Sequence, residues 1–83
     1  MTNFLVDLYL PALGEHFDTY LPAGNTVGEV TLLLIRIVES LSSGKFKGTS
    51  DSVLINANNG DVYDRNITVY DAGIRNASKL ILI

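Results

Sequence analysis

The sequence predicts an α+β fold in which a mixed five-stranded sheet wraps around one main helix, and three observations predict it. The first ten residues alternate in the manner of a strand, the chain changes to helical period after Asn25, and it closes on an aliphatic run, Leu80-Ile81-Leu82-Ile83. An apolar, β-branched run of this kind belongs inside a sheet, because unpaired it leaves backbone groups and apolar side chains uncovered.

The first strand is Phe4-Leu5-Val6-Asp7-Leu8-Tyr9-Leu10. Asp7 marks the wet face, which Leu5 and Tyr9 share; Phe4, Val6, Leu8 and Leu10 face the core. Pro11 to Glu15 is a turn, Pro fixing one backbone position and Gly14 freeing another. His16 to Pro22 returns as the second hairpin arm, with Phe17, Thr19 and Leu21 on one face and His16, Asp18 and Tyr20 on the other.

Thr26 followed by Glu29 is a capping-box pattern, and the helix it opens runs to about Ser43 and stops at Gly44. On a helical wheel Val27, Val30, Leu33, Leu34, Ile37, Val38 and Leu41 form a stripe about 140° wide, the predicted core face. Leu32 and Ile35 fall outside it. They either lie beneath the following loop or form a contact surface for another chain.

Gly44 to Ser52 reads as a mobile connection, and its Gly, Lys and Thr spacing is wrong for a phosphate-binding loop. Val53 to Ala57 is a third strand, Asn58 to Asp61 a tight turn, and Val62-Tyr63 a short fourth strand. A one-turn helix over Thr68 to Ala72, braced by Asp71, ends at Gly73 and leads to the fifth strand. There Leu80 and Leu82 face the core, while Lys79, Ile81 and Ile83 face outward. With first and last strands both apolar and central, they are parallel neighbours, and the order ββαββ(short helix)β is that of a β-grasp.

Composition removes several function classes. At 83 residues the chain reads as one domain, residues 1–83. No cysteine is present, which excludes disulfides, thiolate catalysis and cysteine-ligated metal, and which fits a cytoplasmic protein. A net charge of −3 with scattered basic residues argues against nucleic acid. The longest apolar block, Leu32 to Ile35, is far below the roughly 20 residues that span a bilayer, so direct membrane insertion is not expected. The N-terminus lacks the basic region of a secretory signal. His16 is the only histidine, with no second ligand at metal spacing and no nucleophile partner, so neither a metal nor another cofactor is expected, nor an enzymatic centre.

Thr68-Val69-Tyr70-Asp71-Ala72-Gly73-Ile74, then Asn76 and Leu80-Ile81-Leu82, resembles the closing signature of ubiquitin-like domains, most of all the YukD/EsaB-like proteins that accompany bacterial type VII secretion systems. Val6-Asp7-Leu8, Phe17-Asp18, Leu21, Val27, Val30 and Val62-Tyr63 extend the resemblance over nearly the whole chain. It departs where such proteins commonly carry Gly and this one has Ala77, a change that Asn76 is expected to accommodate. The resemblance implies a non-enzymatic, non-conjugating protein-interaction module, accessory or regulatory to the secretion system. Its partners would be membrane components of the apparatus or a second copy of itself.

In such domains the outer aliphatics of the central strands form the recognition patch. That implicates Leu5, Tyr9, Lys79, Ile81 and Ile83, with Leu32 and Ile35 as a second contact. One alternative is a cytosolic domain cut from a larger membrane protein of the same apparatus. Another is a carrier in ligation or sulfur transfer, which the ending Leu82-Ile83, in place of a flexible Gly-Gly, disfavours.

Overall fold

The computed structural model describes residues 2–83, in the order β1 (Asn3–Leu10), β2 (Glu15–Pro22), α1 (Val27–Leu41), β3 (Leu54–Asn56) and β4 (Lys79–Leu82). The sheet order is β2-β1-β4-β3. β1 pairs antiparallel with β2 from Asn3↔Pro22 to Leu10↔Glu15, and parallel with β4 through Leu8↔Leu80. Antiparallel pairing of β3 with β4, Ile55 facing Ile81, completes a mixed sheet. It has four strands rather than five. Val62 makes only an isolated bridge to Ile55, flanked by Asn56 N–H to Asp61 C=O at 2.8 Å and Tyr63 N–H to Leu54 C=O at 3.0 Å, and the chain then turns away at Asp64 to Asn66.

The strand periodicity is met side chain by side chain. Phe4, Val6, Leu8, Leu10, Leu80 and Leu82 are buried and pack with Leu21, Leu54, Val69 and Ile74 beneath α1. Thr26 caps α1 as its spacing predicts: its hydroxyl accepts from Glu29 N–H at 3.1 Å, and Glu29 Oε1 accepts from Thr26 N–H at 2.9 Å. Residues 68–73 form a turn rather than a helix. Its brace is Thr68, whose hydroxyl accepts from Asp71 N–H at 3.0 Å, and not the Asp71 carboxylate.

The helix itself is rotated from the predicted stripe. Val27, Val30, Thr31, Leu34, Ile35 and Val38 are buried, whereas Leu33 and Ile37 are each 46% exposed and Leu41 is 64% exposed. The segment after α1 causes the rotation. It folds back over one flank, with Phe46 buried, Gly48 against Ile35, and Gly48 N–H donating to Glu39 Oε2 at 3.2 Å. Residues 44–52 are thus an anchored cover. Thr31 fits the core because its hydroxyl donates to Val27 C=O at 2.7 Å, leaving no unpaired polar atom.

Candidate protein-binding face

The outer face of the sheet follows from the strand register. Side chains alternate, so the same pairing that buries Leu8 and Leu80 turns Tyr9 and Ile81 outward as direct neighbours. Ile55 lies beside Ile81 on β3, and Val62 beside Ile55, so Tyr9, Ile81, Ile55 and Val62 make one row across the sheet. Tyr9 and Ile81 are half-buried in this row and Val62 is exposed. Ile55 and Val62 were missed from sequence. Alternation within Val53 to Ala57 puts Ile55 opposite Leu54, which is the signal that could have found it.

The predicted contacts divide. Leu5 stands further along β1, 37% exposed, with Tyr20 of β2 as its register partner. Together with Asp7, Asp18, Asn76 and Lys79 they line a shallow depression of about 720 Å³ at one end of the face. Ile83 is 52% exposed, but its backbone is fixed: Ile83 N–H donates to Val53 C=O at 3.2 Å, and Val53 N–H to Ile83 C=O at 2.9 Å. Leu5, Tyr9, Lys79, Ile81 and Ile83 therefore belong to one sheet face, spread along it. The second set is not a pair. Leu32 is 54% exposed on α1, whereas Ile35 is buried under Gly48 and cannot meet another chain.

Two polar groups on the face pair with each other. His16 Nδ1 lies 2.9 Å from Asp7 Oδ1, and its ring packs against Tyr9 with centroids 4.6 Å apart. Behind the face, Arg75 lies over the rings of Tyr70, at 3.9 Å, and Phe4, at 5.3 Å, and donates to Tyr70 C=O at 2.9 Å. This ties the turn before β4 to the start of β1. Tyr63, packed against the core, has its hydroxyl pKa raised by desolvation. Among the described residues no group of three His, Asp or Glu side chains could hold a metal ion, and no helix is long and apolar enough to cross a membrane.

No protein-family model matches the chain, and no curated protein does. Solved structures do. The EccD5 ubiquitin-like domain from Mycobacterium xenopi superposes with a TM-score of 0.74 at 12% identity, over 100% of this chain and 94% of that one. The ubiquitin-like domain of the Mycobacterium tuberculosis type VII secretion protein EccD1 gives 0.69 at 16% identity, over 100% and 99%. A chain of the MycP5-free ESX-5 inner membrane complex gives 0.82 at 15% identity, and there this chain spans only 21% of its length. The protein is a ubiquitin-like β-grasp in fold, built like the EccD domains of type VII secretion systems.

Proposed function

We propose that this chain is a non-enzymatic protein-interaction module of a bacterial type VII secretion system, acting in the cytoplasm as an accessory or regulatory component. The observation that carries the reading is the Tyr9, Ile81, Ile55 and Val62 row. It is an aromatic and aliphatic strip held on paired backbone, a surface type suited to protein contact because little side-chain freedom is lost on docking. The likeness to EccD ubiquitin-like domains supplies the choice of apparatus.

The test is co-purification from a host that carries the secretion system. Ile81→Asp and Tyr9→Asp each leave the core side of their strand untouched, so the fold persists and the secretion-machine proteins are lost from the eluate. Unchanged co-purification with both variants removes the sheet face from the proposal.

A second reading has its own support. In the ESX-5 membrane complex this fold occupies 21% of a longer chain, so the present sequence also suits the cytosolic part of a larger membrane component. Sequencing the reading frame beyond Ile83 decides between the two.

A further inference from the structure

One side of this molecule is closed and the other is open. On the closed side, the 44–52 segment covers the Ile35 flank of α1, and the outer edge of β3 is met by Val62 and by Tyr63 N–H, which donates to Leu54 C=O at 3.0 Å. Gly28 N–H reaches Arg65 C=O on that same side, at 3.0 Å, so the opposite flank of α1 faces β2. That flank carries Leu33, Ile37 and Leu41, one helical turn apart and all exposed. Beneath it, β2 is the outermost strand, and among the described residues nothing pairs with its free edge.

β2 has little of the usual protection of an edge beyond the carboxylates of Glu15 and Asp18. It runs eight residues in unbroken register with β1, has no bulge and no lysine, and carries proline only at its last position. Ala23 N–H donates to Thr2 C=O, so by alternation Leu21, Thr19 and Phe17 direct their backbone groups to β1. His16, Asp18 and Tyr20 present theirs outward. An extended strand laid antiparallel along this edge must pair with those three.

We infer that the occupant is a second copy of this chain, joined through β2 about a two-fold axis. Only even shifts satisfy the backbone pattern, and charge selects among them. Centring the axis on Asp18 sets Asp18 against its own mate, an unfavourable like-charge pair. Centring it on Phe17 sets His16 against the mate's Asp18 twice over, a contact of the kind His16 already makes with Asp7. That register also places the two Phe17 side chains opposite each other, on the floor of a trough walled by the Leu33, Ile37 and Leu41 flanks of both helices. The surface is self-complementary in hydrogen bonding, charge and apolarity, as a two-fold interface requires.

Sedimentation equilibrium of the whole chain, taken to millimolar concentration, reads the association. The expected result is a monomer–dimer equilibrium that the Ile37→Glu variant shifts at least about tenfold toward monomer, with unchanged circular dichroism. Because the chain has no cysteine, single-cysteine variants report the register. Under oxidation Phe17→Cys forms a covalent dimer rapidly, its Cα atoms facing at a non-hydrogen-bonded site, while Thr19→Cys, four positions out of register with its mate, does not. A wild type that stays monomeric at millimolar concentration overturns the inference and leaves the edge to a strand from another protein. So does a dimer that Ile37→Glu leaves intact, or one cross-linked faster by Thr19→Cys than by Phe17→Cys.

Discussion

Leu5 and Asn76 lie 71 positions apart, yet Leu5 N–H donates to Asn76 Oδ1 at 2.9 Å, and Ala77 N–H returns a bond of 2.8 Å to Leu5 C=O. This two-way clasp fixes where the turn before β4 meets β1. It is held by a residue in a costly conformation, since Ala77 has φ +70°, while Asn76, the residue expected to take up the left-handed turn, does not have positive φ. Left-handed backbone costs an L residue roughly 1–2 kcal/mol, of which glycine's extra unfolded-state entropy offsets about half. Ala77→Gly should therefore raise stability by about 0.5–1 kcal/mol, read as a higher urea midpoint at unchanged slope. Asn76→Ala should lower it by about 1 kcal/mol.

Gly48 is held to glycine by contact rather than by its dihedral angles. A Cβ there would overlap Ile35 Cγ2 and lie 2.8 Å from Cγ1. Gly48→Ala is expected to cost about 1–3 kcal/mol in chemical denaturation. Combined with Ile35→Ala, it should cost less than the sum of the two changes, because truncation to alanine removes the γ and δ carbons that the new methyl would meet.

The capping box makes part of the stability depend on pH. Backbone and side-chain hydrogen bonds from Thr26 hold the Glu29 pKa below its ordinary 4.5. A carboxyl depressed in the folded state binds fewer protons there than when unfolded. Its contribution is complete above the ordinary value and is lost as pH falls through the folded one. In acid titrations followed by circular dichroism, Glu29→Gln keeps the acceptor for Thr26 N–H and should flatten this part of the profile. Thr26→Ala should cost about 1 kcal/mol at neutral pH.

β4 offers a contrast between adjacent side chains. Leu80 is fully buried and Ile81 half-buried on the opposite face. Leu80→Ala should cost about 2–5 kcal/mol. Ile81→Asp should cost about 1 kcal/mol, since it forfeits strand propensity without opening a cavity. Thermal melts of the two variants separate the residue that holds the sheet from the one that faces outward.

Strand faces were legible in the sequence because period-2 alternation is a local property: Asp7 alone oriented β1, and Lys79 oriented β4. The cap at Thr26 was legible for the same reason. What misled was the helix, whose apolar residues are too numerous for its core face. Leu33, Ile37 and Leu41 and the pair Val27 and Val30 share an arc with Leu34, and hydropathy cannot tell which part of that arc faces the sheet. The deciding facts are distant ones, Gly48 settling on Ile35 and Arg65 C=O receiving Gly28 N–H. Likewise Tyr9 and Ile81 were found as outward residues, but their adjacency to Ile55 and Val62 depends on strand order.

The parallel pairing of β1 with β4 brings Leu8 beside Leu80 from nearly opposite ends of the described chain. Contacts of such long separation make folding slow, because the intervening chain must be ordered before they form. On the ribosome, β1 must therefore wait, its second edge unpaired, until the residues of β4 have emerged. Over that interval the β1–β2 hairpin is an unfinished sheet with two free edges, and this is the species on which a chaperone or an aggregation pathway would act.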